Sequence, residues 1–128
     1  MNGKTLDAIT LPDKPSDTAP DGSEIRLLRT MHGGGVCHCT LQQGRTSFAV
    51  RHKTVEEIWY ILSGEGEIWR MFEEEEEFTS LRPGVALTIP PHTNFQFRNS
   101  SLEPLCILIT TTPPWPGPEE ALTAIGPW

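Results

Sequence analysis

Turn signals recur along this chain and helix signals are nearly missing, and that combination restricts the fold more than any other feature. Short runs rich in β-branched and aromatic residues are separated by "HGGG", "QQGR", "SGEG", "EEEE", "RPG", "PPHTN" and "SSLEP". Such punctuation bounds strands rather than helices. The candidate strands are 25–30, 36–41, 47–51, 57–62, 66–72, 78–82, 86–89, 95–99 and 105–111. Many short strands at spacings of about 8–12 residues predict an all-β sandwich or barrel. Only "GPEEALTA" carries helix chemistry, with Pro118 near a first helical position and two acids in the first turn.

The 128 residues fit one domain. A domain of this size buries roughly two-thirds of its unfolded surface and needs no disulfide. Residues 1–23 hold Pro12, Pro15, Pro20 and Gly22 among polar residues and read as an arm. Residues 24–112 make the barrel, and 113–128 form a Pro/Trp-rich tail. Ten Lys and Arg stand against 17 Asp and Glu, a net charge of −7. That argues against nucleic acid and against an anionic membrane surface as partners. No apolar run approaches the ~20 residues of a span, and the first residues lack the apolar core of a secretory signal. Three cysteines, an odd number, form no disulfide framework. A reduced, cytoplasmic protein is expected.

Alternation along strands assigns faces. Phe48, Val50 and His52 share one face, Glu57, Trp59 and Ile61 another, and Phe95 and Phe97 a third. Turned inward, these put His52 and Glu57 against a wall of Trp59, Phe95 and Phe97, the usual make-up of a small-molecule site. Cys37 and Cys39 share a face with Leu41 and read, with Cys106, as core residues. His38 takes the opposite face, so "CHC" does not converge on one ion. Arg51 and Arg98 point away from His52. Glu73–Glu77 reads as a solvated hairpin tip. His92 follows two prolines in a turn, within reach of a ligand at the barrel mouth.

Two segments resemble the cupins, small β-barrels of jelly-roll type. Their first motif is a glycine, His-x-His, three or four residues, Glu, six residues, Gly. Here Glu57 is followed by "IWYILS" and Gly64, and His52 takes the place of the second histidine. Their second motif is Gly, five residues, Pro-x-Gly, two residues, His, three residues, Asn. Gly84, "VALTI", Pro90 and Asn99 match it. The resemblance covers roughly residues 25–112 and implies a small antiparallel jelly-roll barrel with an irregular N-terminal arm and a short C-terminal helix or tail.

The departures from the family pattern fall on its metal ligands. Val50 stands at the first histidine's position and Phe95 at the third's; His92 replaces a glycine. Two protein ligands seldom hold a catalytic divalent ion when three are usual, so no metal or other cofactor is expected. A weakly held divalent metal at His52 and Glu57 is the alternative. Without metal, a histidine beside a carboxylate is expected to have a raised pKa and to relay a proton. The resemblance to metal-free sugar epimerases, keto-isomerases and cyclase-like cupins implies proton transfer next to a carbonyl. His52 and Glu57 are then the catalytic pair, with Val50, Trp59, Phe95, Phe97 and His92 contacting a small-molecule ligand. A weak-metal isomerase or oxygenase, and a barrel that only binds, stay open. Trp115 caps the barrel or packs on a neighbouring chain. Single-domain cupins are usually dimers, so a homodimer is expected.

Overall fold

The computed structural model describes residues 6–128. Eleven strands and one single-turn 3-10 helix lie among them. In chain order the strands are β1 (Asp17–Thr18), β2 (Glu24–Thr30), β3 (Gly35–Leu41), β4 (Val50–His52), β5 (Glu56–Ser63), β6 (Gly66–Phe72), β7 (Glu75–Leu81), β8 (Ala86–Ile89), β9 (Asn94–Asn99), β10 (Leu105–Thr112) and β11 (Ala121–Thr123). They form a six-stranded sheet, β1-β2-β3-β10-β5-β8, and a five-stranded sheet, β11-β4-β9-β6-β7. Every pairing is antiparallel. The two sheets pack face to face as the expected jelly roll.

Parity is obeyed where it matters most. Along β5 the burial alternates strictly, with Glu57, Trp59 and Ile61 inside and Ile58, Tyr60 and Leu62 outside. β10 brings Ile107 opposite Ile61 and Ile109 opposite Trp59. The core from both sheets includes Trp59, Phe95, Phe97, Ile68, Leu81, Ile89, Leu105 and Ile107, each at most 1 % exposed. Slipping β5 by one residue would turn this whole set to solvent.

The turns explain the motif residues. Gly64 has φ +83°, and a Cβ there would stand 2.5 Å from the Pro104 carbonyl oxygen and 2.7 Å from Leu105 Cα. Only glycine fits such a backbone approach. Asn99 is buried and donates to the carbonyls of Leu41 at 3.0 Å and Glu103 at 2.8 Å, stapling the loop before β10.

Three expectations are corrected. The segment "GPEEALTA" makes only the 3-10 turn Pro118–Glu120 and then continues as β11, paired with β4 through Ala121 and His52. A free edge on β4 offered more hydrogen bonds than an isolated helix of two turns. Phe48 does not join Val50 and His52 inside; it is 68 % exposed. Regular pairing begins at Val50, and the Phe48 N–H donates to the Asp21 carbonyl instead of a strand partner. The acidic run is only partly a tip, because Glu75–Glu77 lie in β7 and Glu76 accepts the Trp69 indole N–H at 2.7 Å.

Candidate functional site

His52 ends β4 and Glu57 is the second residue of β5. Each belongs to a different sheet, and the sandwich brings them together between the layers. His52 Nδ1 lies 3.9 Å from Glu57 Oε2, with both side chains under a tenth exposed. Glu57 Oε1 accepts the Trp59 indole N–H at 2.9 Å. The imidazole is boxed by aromatic edges, Phe95 at 5.3 Å and Trp115 at 5.0 Å between ring centroids. Trp59 meets Phe95 at 5.9 Å and Phe97 at 4.9 Å, both edge-to-face. Val50 pairs across from Phe95 and is buried in the same cluster. Of the residues expected to contact a ligand, His92 alone stands apart. It is exposed, holds φ +68° in the turn before β9, and touches the site through its N–H, which donates to the His52 carbonyl at 2.8 Å.

Burial decides the charges. Glu57 is pushed up to about 7 by burial; the Trp59 N–H opposes this and the buried Asp21 adds to it. His52 is pushed down to about 4, again by burial, against a smaller opposing pull from Glu120. The expected rise in the His52 pKa is therefore reversed, because the aromatic box desolvates the imidazolium more than nearby carboxylates compensate. Proximity alone would make the contact a salt bridge. Burial acts the other way on both groups: it holds a proton on the Glu57 carboxyl and keeps the His52 imidazole free of one. We take the neutral pair as the better description, since an ion pair without further hydrogen bonds is costly in an apolar interior. His52 Nδ1 indeed has no hydrogen-bond partner.

Two carboxylates escaped the sequence reading. Asp21, in the arm, turns inward and accepts from the Ser23 N–H at 2.9 Å and the Ser23 hydroxyl at 2.6 Å. Burial raises its pKa, with the Ser23 bonds opposing. "PDGS" looked like a surface turn, and nothing in it marks an inward acid. Glu120 accepts from the Thr54 and Val55 N–H groups and the Thr54 hydroxyl. Burial works against its charge, but those bonds, with His52 nearby, hold its pKa below the ordinary value. Glu120 thereby ties the tail to the β4–β5 turn and keeps Trp115 over His52. Cys37 lies near Glu57, and burial with the Glu57 and Asp21 charges pushes its thiol up to about 12, which leaves it protonated and a poor nucleophile.

The donor set does not fit a divalent metal. Val50 and Phe95 are packed in the core at the positions of two family ligands, and no group of three His, Cys, Asp or Glu is placed to hold an ion among the described residues. Two surface concavities, of about 280 and 480 Å³, include neither His52 nor Glu57. The buried titratable pair, rather than either hollow, is the candidate site.

Two β-sheets closed over a histidine and a glutamate in this register define a cupin barrel. The family model for the cupin domain matches residues 37–111, and the chain belongs to that family. Among solved structures it is similar to an uncharacterised conserved protein with a double-stranded β-helix domain from Klebsiella pneumoniae, with a TM-score of 0.68 at 18 % identity, covering 88 % of this chain and 90 % of that one. It is also similar to the capsular polysaccharide assembling protein CapF from Staphylococcus aureus, with a TM-score of 0.70 at 14 % identity over 89 % of this chain and 33 % of CapF. Oxalate decarboxylase from Bacillus subtilis, which has Mn(II) centres, gives 0.71 at 14 % identity over 87 % of this chain and 30 % of that protein. The chain thus spans about a third of the latter two. No match was found among the curated proteins. Likeness at these identities speaks for the fold.

Proposed function

We propose that this cupin transfers protons on a small neutral carbonyl or sugar-like metabolite without a metal, as an isomerase, epimerase, cyclase or lyase. The observation that carries the reading is a histidine and a glutamate 3.9 Å apart in an apolar interior, where burial favours the uncharged form of each. His52 would take a proton from the carbon beside a carbonyl while Glu57 gives one to the carbonyl oxygen, and the enol would collapse by the reverse transfers. No Lys or Arg is buried among the described residues, so the interior suits an uncharged substrate rather than a carboxylate or phosphate ester. Trp115 is only half-buried, and its displacement is the route by which a ligand reaches His52. The experiment is solvent deuterium exchange at the α-carbon across a panel of neutral aldehydes, ketones and sugars, followed by NMR. Exchange should need both His52 and Glu57. A panel compound exchanged equally well by His52→Ala protein would refute the reading.

A barrel without catalysis is the second reading, favoured by the packing of Trp59, Phe95 and Phe97 at 0–1 % exposure, which leaves no water-sized gap at their surfaces for a substrate. It predicts compounds that raise the melting temperature yet undergo no exchange. We further propose a homodimer. The outer face of the six-stranded sheet carries Ile58, Tyr60 and Leu62 at 53, 46 and 41 % exposure, an uncharged strip on a chain of charge −7. A monomer mass by light scattering at micromolar concentration would count against it.

A further inference from the structure

The inner face of the six-stranded sheet changes character at one end. Cys37, Ile109, Trp59 and Leu87 pair across four strands and form a row that is apolar apart from one thiol. The next row holds Thr30, Gly35, Thr111, Glu57 and Ile89, paired in that order across β2, β3, β10, β5 and β8. Side chains directly opposite each other on one face stand about 5 Å apart, so Thr111 is the immediate neighbour of Glu57. Thr111 is 8 % exposed and shares the inward parity of Ile107 and Ile109.

Gly35 leaves a gap in this row. A Cβ there would stand 3.1 Å from Thr30 Oγ1 and 3.6 Å from Thr111 Oγ1, so both hydroxyls border the space that a side chain would fill. Gly35 opens β3 without a left-handed φ, so the backbone does not require glycine at this point. A glycine of that kind in a strand marks a close approach by another group. Thr40, Thr54 and Thr79 engage their hydroxyls with other side chains; Thr30 and Thr111 do not. His52 faces Glu57 at 3.9 Å from the other sheet, and Trp115 lies 5.0 Å from the imidazole, so the row sits at the end of the sandwich that Trp115 closes.

We infer that Thr111 is a ligand-contacting residue of the His52–Glu57 site, and that with Thr30 and Gly35 it cradles a hydroxyl next to the reacting carbonyl. The substrate is then a neutral α-hydroxy aldehyde or ketone. The inference rests on the proton-transfer reading of the pair, in which Glu57 serves the carbonyl oxygen and leaves the neighbouring oxygen to Thr111. A threonine hydroxyl both donates and accepts, which matches a substrate hydroxyl and leaves a charged group uncompensated.

The test uses the full chain and two matched pairs of probes in which methyl replaces hydroxyl: hydroxyacetone against butanone, and dihydroxyacetone against pentan-3-one. Binding is followed by ligand-observed NMR, and exchange at the α-carbon in deuterated solvent. The unaltered protein should bind and exchange the hydroxylated member of each pair roughly tenfold or more better, since a site built for a hydroxyl rejects the analogue lacking it. Thr111→Val should abolish the preference, Thr111→Ser should restore it, and Gly35→Ala should weaken binding of the hydroxylated members alone. If Thr111→Val fails to fold by circular dichroism, Thr30→Val, at the exposed side of the cradle, replaces it with the same expectation. A Thr111-dependent preference in binding without exchange would uphold the cradle and refute proton transfer. Exchange that needs His52 but shows no hydroxyl preference, or a preference unchanged in Thr111→Val, would overturn the cradle and leave proton transfer standing. Neither binding nor exchange of any probe would overturn the cradle as well.

Discussion

The molecule holds two buried histidines, one on the outer face of the six-stranded sheet and one between the sheets, and they differ most in company. His38 lies on the outer face of the six-stranded sheet, opposite Arg26 on β2 and Leu108 on β10. His52 lies between the sheets beside Glu57. Both have an unpartnered Nδ1, and burial lowers both pKa values; at His38 the positive charge of Arg26 pushes the same way. A lowered pKa is thus what burial does to any histidine. What distinguishes His52 is a carboxyl group whose titration is displaced in the opposite direction by the same burial. A pair pushed apart in this manner has an assigned acid and an assigned base.

Substitutions should separate the two histidines most strongly in turnover. Once a substrate is in hand, His52→Ala or Glu57→Gln should lower kcat by ~10²–10⁴-fold. His38→Ala should leave kcat within a few-fold of the unaltered protein. Equal losses at the two histidines would erase the contrast.

Stability against pH gives the next largest effect. Glu57 has an ordinary value of 4.5 and titrates near 7 in the folded chain, so folding holds a proton that the unfolded chain has released. Its contribution is present below pH 4.5 and lost as pH rises through about 7, a fall of roughly 3 kcal/mol. His52 moves from 6.5 to about 4 and acts oppositely: its contribution is present above pH 6.5 and lost, by roughly 3 kcal/mol, as pH falls through about 4. The two slopes cancel in the unaltered protein between pH 4.5 and 6.5. Glu57→Gln should expose a rise in stability from pH 4 to 6.5, and His52→Gln a fall from pH 4.5 to 7, in urea melts. Parallel slopes in the two variants would show that the titrations are not displaced as described.

Glu120→Gln should have a smaller consequence, costing about 1–3 kcal/mol through weakened bonds to Thr54 and Val55. It should also loosen Trp115, so that diethyl pyrocarbonate modifies His52 faster while His38 reacts at an unchanged rate. Unchanged protection of His52 would mean that the tail does not depend on its glutamate clamp.

How much of this was readable beforehand depended on sequence distance. β5 and β9 were legible because strict alternation leaves only one register that buries Trp59, Phe95 and Phe97. The His52–Glu57 pairing was legible through the cupin spacing that frames it. β11 was not, because "PEEAL" has good local helix chemistry and its strand partner lies some seventy residues earlier, at His52. Glu120 was hidden for the same reason: its partners Thr54 and Val55 are 66 and 65 positions away. Asp21 sits in a turn whose composition is that of any surface loop. The direction of the His52 shift was misjudged because local reading sees the neighbouring carboxylate but not the aromatic box closed by Trp115.

The central claim is that His52 and Glu57 are both uncharged at mildly acidic pH. It is tested most directly by NMR titration of the His52 imidazole and the Glu57 side-chain carboxyl in the unaltered chain. The account predicts an imidazole that stays neutral from pH 7 down to about 4 and a carboxyl that releases its proton near pH 7. A His52 titrating above 6.5 together with a Glu57 titrating below 4.5 would make the pair a buried salt bridge and contradict it.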